Sequence, residues 1–199
     1  MRRTDIRISP GFWLLIAWFG TANGWRPLLM ILGAAAIHEL GHYAVLKAAG
    51  ARVRGLRIGM PGAVMDVDRS GLSYGAELAA VLAGPGVNAL CAALLLKLDQ
   101  NRWAAAAGAH LVLCLFNLLP IRPLDGGRAL ELLLSWRWGP AVGEKAAAWC
   151  GRLFGGALAC AILLVITKSG GSLWLLPAAF GLFLAVRQES RGKGEGFVK

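Results

Sequence analysis

The chain has 199 residues, of which 57% are hydrophobic and only 16% are charged, and this composition excludes an ordinary soluble domain. Its net charge of +10 would suit a nucleic-acid-binding protein, but the lysines and arginines fall mostly in short connections between apolar runs, so no nucleic-acid partner is expected. The longer apolar runs approach the roughly 20 residues with which a helix crosses a bilayer, which predicts an integral protein of the cell membrane.

The first apolar run, residues 12–19, follows an arginine-rich start and allows two interpretations. A basic segment followed by a short apolar run is typical of a cleaved signal peptide and also of a retained first transmembrane helix. The retained helix is favoured because a second apolar run, residues 28–49, follows at once and ends in a basic cluster. A chain that enters from the cytoplasm returns there after two spans, where such basic clusters occur.

Residues 52–73 have a different pattern. Two short β-prone segments flank the sequence Gly59-Met60-Pro61-Gly62, which predicts a β-hairpin. The hairpin is too short and too charged to span a membrane. A surface position and an interfacial or re-entrant position both fit the pattern.

The third run, residues 77–98, contains the small-residue motif Ala83-Gly84-Pro85-Gly86, followed by Asn88. Small residues allow close helix approach in lipid, and the proline is expected to kink the helix. The fourth run, residues 103–119, leads into residues 117–127, where two prolines and a pair of glycines are expected to stop regular helix.

A short amphipathic helix at the membrane interface is predicted for the segment that follows this interruption. The remaining elements are two further spans and a polar tail, so that the last four predicted segments are residues 128–138, 141–166, 173–186 and 187–199.

The expected fold is an all-α polytopic membrane protein with about six transmembrane helices and a short membrane-associated β-hairpin between the second and third helices. We expect one transmembrane domain over residues 1–199, with its core at residues 28–137. Most basic residues fall on one side of this topology, which predicts a multi-pass protein with both termini in the cytoplasm.

The second apolar run carries two histidines and a glutamate in the sequence His38-Glu39-Leu40-Gly41-His42. Helix positions four apart differ by only about 40° around the axis, so His38 and His42 can hold one metal ion together. Glu39 lies about 100° from His38, within reach of a water at the metal without being a ligand. Zinc is the natural ion for a site with two imidazoles, one carboxylate and an exchangeable water. A carboxylate deep in a membrane helix costs on the order of 3 kcal/mol, which indicates a functional residue.

A third ligand is needed, and the chain has eleven acidic residues. Asp125 is the candidate because it lies in the interrupted segment at the cytoplasmic end of a span, the depth expected for the two histidines. Gly126 and Gly127 beside it allow close backbone approach. His110 lies about two helical turns before Asn117 and is expected to be a packed or hydrogen-bonding residue. A contact between His110 and the metal stays open as the alternative.

Three motifs resemble those of the site-2 protease family of intramembrane metalloproteases. That family pairs an HExxH helix with a later Asn-x-x-Pro-x-x-x-x-Asp-Gly segment, matched here by residues 38–42 and 117–126. Ala83-Gly84-Pro85 with Asn88 is similar to the family's third-helix signature. Within the family the chain is most like the bacterial sporulation branch, whose member cleaves a membrane-tethered pro-sigma factor. No stretch of this sequence resembles that branch's nucleotide-binding CBS domain or the PDZ domain of the other branch, so we expect regulation by neither.

The resemblance implies a zinc metalloendopeptidase that hydrolyses a peptide bond in or near the transmembrane segment of a membrane-tethered substrate. In this interpretation His38, His42 and Asp125 bind Zn²⁺. Glu39 is then the catalytic residue that activates the attacking water, and Asn117 holds the substrate backbone or the oxyanion.

The expected partners are the lipid bilayer, a membrane-tethered protein such as a transcription-factor or sigma-factor precursor, and a membrane inhibitor or regulator. Two other classes of function are left open by the sequence. One is a membrane metal transporter or metal-binding protein, which would also place histidine and aspartate in the bilayer. The other is a catalytically silent membrane chaperone.

Overall fold

The computed structural model describes residues 5–59, 62–122 and 124–168, and the predicted last span and polar tail therefore lie outside the described residues. These residues fall into two compact units, one ending at Leu118 and the other beginning at Leu119. The elements, in chain order, are β1 (Asp5–Ile8), α1 (Pro10–Asn23), α2 (Trp25–Ala48), β2 (Arg52–Gly59), β3 (Gly62–Asp68), α3 (Tyr74–Leu98), α4 (Gln100–Asn117), α5 (Asp125–Trp138) and α6 (Pro140–Lys168).

Within the described residues, α2 and α3 are the two helices that are long and apolar enough to cross a membrane. They have 24 and 25 residues, which exceeds the roughly 20 that a span requires. The other predicted spans in the described chain are helical as well, with 14 residues in α1, 18 in α4 and 29 in α6. A mostly helical protein with a small β-sheet is confirmed, whereas the number of six spans stays a prediction.

In the first unit, α2 packs against α3 and α4, and α3 packs along α4. Helix α3 begins after Ser73, whose hydroxyl accepts a hydrogen bond from the amide of Ala76 at 3.2 Å. Helix α4 begins after Asp99, whose carboxylate accepts hydrogen bonds from two amides of the first turn. Helices α2 and α3 approach closely at Gly41, where a Cβ would lie 2.8 Å from the carbonyl oxygen of Ala83. The close approach expected from the small residues is thus confirmed.

The predicted hairpin is also confirmed. Strands β2 and β3 pair in antiparallel fashion from Arg52 and Asp68 to Gly59 and Gly62, and its turn residues 60 and 61 lie outside the described chain. Strand β1, which the sequence did not indicate, pairs in parallel with β2, so the strand order is β1-β2-β3. Gly55 permits this pairing, because a Cβ there would lie 2.9 Å from the carbonyl oxygen of Asp5.

Asp68 closes the open end of the hairpin through several hydrogen bonds. Its Oδ1 accepts hydrogen bonds from the hydroxyl and the amide of Ser70, and its Oδ2 lies 2.5 Å from a guanidinium nitrogen of Arg54. The hydrogen bonds from Ser70, followed by the contact with Arg54, lower the pKa of Asp68 from its ordinary value of 3.8 to about 2. The ionised carboxylate is therefore the form that holds the hairpin end.

In the second unit, α5 packs against α6. Helix α5 begins at Asp125 rather than at Arg128, so Gly126 and Gly127 belong to its first turn and the expectation that this pair stops regular helix is wrong. The reason is a packing contact. A Cβ on Gly127 would lie 2.6 Å from the carbonyl carbon of Ile121, so the glycine lets the preceding loop fold directly onto the helix.

Candidate metal centre

His38 and His42 lie one turn apart on α2, with their Nε2 atoms 3.0 Å from each other. His38 is buried, with 5% of its surface exposed. Nδ1 of His42 lies 2.8 Å from the carbonyl oxygen of Ala80 on α3. Because a carbonyl oxygen can only accept a hydrogen bond, Nδ1 of His42 carries the hydrogen and its Nε2 presents a lone pair. One imidazole of the pair therefore already has the form of a metal ligand.

Gly84 of α3 provides the space that both rings occupy. A Cβ at this position would overlap Nε2 of His42 and would lie 2.6 Å from Cε1 of the same ring. It would also lie 2.8 Å from Cε1 of His38. The small-residue motif of α3 therefore forms a wall of the candidate centre in addition to packing the helices.

Asn88, which is completely buried, connects His38 to His110 on α4. Its Nδ2 lies 3.2 Å from Nδ1 of His38, and its Oδ1 lies 3.0 Å from Nδ1 of His110. His110 is also buried, at 6% exposure. It is a hydrogen-bonding helix residue whose bonded partner is Asn88.

Glu39 and Asn117 are the two residues for which the sequence suggested a role in catalysis. Glu39 follows His38 on α2 and is neither buried nor fully exposed. Asn117 is the last residue of α4, and its side-chain nitrogen donates a hydrogen bond to the carbonyl oxygen of Leu113 at 2.9 Å. That bond lies within its own helix, so the binding of substrate by Asn117 stays a prediction.

Asp125 is the first residue of α5 in the second unit, a position at which the helix dipole favours a carboxylate. His38 and His42 lie in the first unit, so the joining of Asp125 with them in one metal site stays a prediction. Two imidazoles and a carboxylate are a donor set typical of zinc, and they leave a fourth coordination position open for water or substrate.

Two neighbours of the histidines are not identified as such by the sequence. The sequence indicates that Gly84 and Asn88 belong to a packing and signature motif on α3, without connecting them to α2. A signal for Asn88 exists in retrospect, because a polar amide within an apolar span needs a buried polar partner, and histidines are the polar groups that the neighbouring runs offer. The carbonyl of Ala80 leaves no such signal, since every residue has one.

Comparisons with known proteins place this centre in context. The chain is 30% identical over 194 residues to the zinc metalloprotease Rip3 of Mycobacterium tuberculosis, covering 90% of this chain and 49% of the relative. It is 30% identical over 177 residues to a zinc metalloprotease of Methanocaldococcus jannaschii, covering 84% of this chain and 50% of the relative. The third relative is stage IV sporulation protein FB of Bacillus subtilis, 30% identical over 137 residues, with 65% and 48% covered.

The fold has a solved counterpart in the site-2 protease from Methanocaldococcus jannaschii. The TM-score is 0.70 at 27% sequence identity, and the match covers 94% of this chain and 90% of the other. No protein-family profile matches the sequence. The chain spans about half the length of the curated relatives that it matches. The sporulation relative is no more similar than the other two, so the predicted sporulation branch is not confirmed.

Proposed function

Because the chain belongs to the site-2 protease family, we propose that it is a zinc metalloendopeptidase that cleaves a membrane-tethered protein in or near its transmembrane segment. The observation that carries the proposal is the pair formed by His38 and His42 on an apolar helix, with Glu39 beside them. A substrate that itself lies in the membrane explains why this machinery is built into a helix of membrane-spanning length.

The proposed ligands of zinc are His38, His42 and Asp125. The hydrogen bond from Nδ1 of His42 to the carbonyl oxygen of Ala80 supports this, since it places the ring hydrogen on Nδ1 and fixes the orientation of the ring. Zinc, when bound, supplies a Lewis acid that polarises the scissile carbonyl and lowers the pKa of a water to about 7. Helices α2, α3 and α4 provide apolar surroundings in which the charged groups interact more strongly than in bulk water.

Glu39 is the proposed general base and acid. On a helix it lies about 100° from His38, so its carboxylate can reach a water beside the ligands without being a ligand itself. It takes a proton from the attacking water and later donates one to the leaving nitrogen of the cleaved peptide bond. Asn117 is proposed to donate a hydrogen bond to the substrate backbone or to the developing oxyanion, using the amide hydrogen that Leu113 does not engage.

The substrate helix must unwind locally before its carbonyls can be attacked, and the β-sheet offers an edge for the unwound segment. Strand β2 is central in the described sheet, so the free edge of the predicted hairpin is that of β3. We propose that an extended substrate segment pairs with β3 as an added strand. Along a strand, N–H groups alternate between the two edges. Of the two variants Val64→Pro and Met65→Pro, one will therefore lose a backbone N–H at the free edge of β3 and the other an N–H that faces β2. Undiminished cleavage by both variants would contradict this pairing.

The remaining predictions concern topology and partners. Six spans, one protease domain over residues 1–199 and cytoplasmic termini are consistent with the distribution of basic residues. A membrane-tethered transcription-factor or sigma-factor precursor is the proposed class of substrate, and a membrane inhibitor is the proposed regulator. One relative is named a stage IV sporulation protein, which agrees with the resemblance to the sporulation branch on which the proposed substrate class rests.

The decisive experiment compares Glu39→Gln with the wild type in zinc content and in cleavage of a membrane-tethered reporter. Glu39→Gln is expected to bind zinc normally and to lose at least about 100-fold in cleavage rate, because general acid and base catalysis contributes roughly 10²–10⁴-fold. Glu144→Gln, the same change at an exposed position of α6, is the matched control and is expected to cleave normally.

The same variants separate the other two classes of function. A metal carrier does not use a carboxylate beside its ligands as a base, so unchanged metal uptake together with absent reporter cleavage in every variant would favour the carrier. A silent chaperone would show zinc binding but no cleavage by the wild type.

A further inference from the structure

We propose that Asn88 is a positioning residue that determines which nitrogen of His38 faces the metal, and that His110 is the partner that allows the amide of Asn88 to turn. The inference rests on the proposed zinc site. It concerns hydrogen bonds that lie wholly within the first unit, between α2, α3 and α4. It assigns roles to two buried polar residues that the proposed chemistry does not use.

The two histidines differ in what fixes their rings. His42 donates from Nδ1 to the carbonyl oxygen of Ala80, and a backbone carbonyl cannot change from acceptor to donor. Nδ1 of His38 faces the side-chain amide of Asn88 at 3.2 Å instead. An amide presents an acceptor oxygen on one side and a donor nitrogen on the other, and a half-turn exchanges them with little change in shape. Of the two rings, therefore, only that of His38 has at Nδ1 a hydrogen-bond partner that can change from donor to acceptor.

Two directions of hydrogen bonding fit the same heavy-atom positions. In the first, which has the amide of Asn88 oriented as in the structure, His38 donates from Nε2 to Nε2 of His42, at 3.0 Å, and its Nδ1 accepts from Nδ2 of Asn88. In this direction Nε2 of His38 carries a hydrogen and cannot bind a metal. In the second, the hydrogen of His38 is on Nδ1 and is donated to the amide oxygen of Asn88, which leaves Nε2 as a lone pair. Zinc binding through both Nε2 atoms requires the second direction.

His110 can form a hydrogen bond with the amide of Asn88 in either direction. Whichever end of Asn88 faces His38, the other end lies 3.0 Å from Nδ1 of His110. That nitrogen donates when the hydrogen of the ring is on Nδ1, and it accepts when the hydrogen is on Nε2. Neither end of the amide is left without a hydrogen bond, which matters because Asn88 has no exposed surface. A serine or an aliphatic residue at position 110 would not offer this choice at the same distance.

The direct test is nitrogen-15 NMR of the full chain in detergent with its histidines labelled and zinc bound. The shifts of ring nitrogens report which one carries the hydrogen. We expect the hydrogen on Nδ1 in His38 and His42 and on Nε2 in His110, with the His110 signals assigned by their loss in His110→Gln. A hydrogen on Nδ1 of His110 in the zinc-bound wild type would overturn the inference.

Substitutions at Asn88 give an independent test through zinc affinity, measured by competition with a chelator. Asn88→Leu keeps the size and removes both hydrogen bonds, and it is expected to bind zinc about 10- to 100-fold more weakly, the effect typical of removing a partner behind a metal-binding histidine. Asn88→Asp offers an acceptor oxygen to His38 and another to His110. It is expected to retain wild-type affinity or better, and to shift the hydrogen of His110 to Nδ1 in the NMR spectrum.

The matched control is Asn101→Leu, which makes the same change at an exposed position of α4 and is expected to leave zinc affinity unaltered. Equal affinity of the wild type and Asn88→Leu would overturn the inference, as would an Asn88→Asp protein that binds zinc as weakly as Asn88→Leu. A substitution that prevents folding leaves the NMR test of the wild type to decide. The protease proposal is tested separately, and unchanged reporter cleavage by Glu39→Gln would contradict it. That outcome would not change the zinc affinities measured here.

Discussion

Replacing Gly84 by alanine is the sharpest test of how α3 shapes the candidate metal centre. The added methyl group would overlap Nε2 of His42, and it would lie 2.6 Å from Cε1 of that ring and 2.8 Å from Cε1 of His38. Carbon atoms pack at about 3.5–4.0 Å, so at least one ring must retreat by roughly 1 Å. Metal–ligand distances tolerate only about 0.2 Å. Both imidazoles then cannot hold the same ion in their present rotamers.

The expected loss follows from that displacement. Disturbing the support of a metal-binding histidine typically costs about 10- to 100-fold in metal affinity, which corresponds to about 1.4–2.8 kcal/mol of zinc-binding free energy. Helix propensity acts in the opposite direction, because alanine in a helix interior is more favourable than glycine by roughly 1 kcal/mol. The variant should therefore bind zinc much more weakly without a comparable loss of helix stability.

Gly86→Ala is the matched control, since it makes the same change two residues further along α3 with nothing within 4 Å of the new methyl group. Both variants are compared with the wild type in zinc content, in chelator competition and in thermal unfolding in detergent. We expect Gly86→Ala to bind zinc normally and Gly84→Ala to be depleted of zinc. A Gly84→Ala protein with wild-type zinc affinity would refute the placement of the two rings against this glycine.

Three further predictions concern stability. Gly41→Ala is expected to lower the free energy of unfolding by about 1–3 kcal/mol, because its methyl group would lie 2.8 Å from the carbonyl oxygen of Ala83, whereas Gly33→Ala, in open space on the same helix, should be neutral or stabilising in detergent unfolding assays. Gly127→Ala should destabilise the second unit by a similar amount, about 1–3 kcal/mol, seen as faster proteolysis of that unit. The pKa of Asp68 is lowered from 3.8 to about 2 in the folded chain, so its stabilising effect is complete above pH 3.8 and is lost as the pH falls through about 2. Circular dichroism melts between pH 5 and pH 2 should show this loss in the wild type, and Asp68→Asn should remove that part of the pH dependence.

The elements that the sequence predicted correctly are those with a strong local signal. Helices α2 and α3 follow from long apolar runs, and the hairpin follows from two β-prone segments around a Pro-Gly turn. Strand β1 has no such signal, because it is four residues long, exposed throughout and held by pairing with a strand some 50 positions later. Its existence depends on a tertiary contact, which local patterns do not encode.

At the start of α5, a local signal predicted the wrong structure because a packing contact overrides it. A Gly-Gly pair beside prolines is a strong local sign of interrupted helix. Here the burial of Gly127 against the backbone of Ile121 outweighs the low helix propensity of glycine, and the helix begins at Asp125. In the candidate site, too, local spacing was predictable and tertiary contacts were not. The spacing of His38 and His42 was readable from the sequence, while the partners of their rings on α3 and α4 come from packing between helices that are far apart in sequence.

The residues that pack α2 on α3 also shape the candidate metal centre. Leu40, between Glu39 and Gly41, is 61% exposed and is not constrained by α3. Gly41, beside His42, must be small because the backbone of α3 lies against it at Ala83. One residue further on α3, Gly84 must be small because the imidazoles occupy its side-chain space. The two glycines therefore both lie in the contact between α2 and α3, so that a shift which relieved a larger residue at one position would displace His38 and His42 at the other.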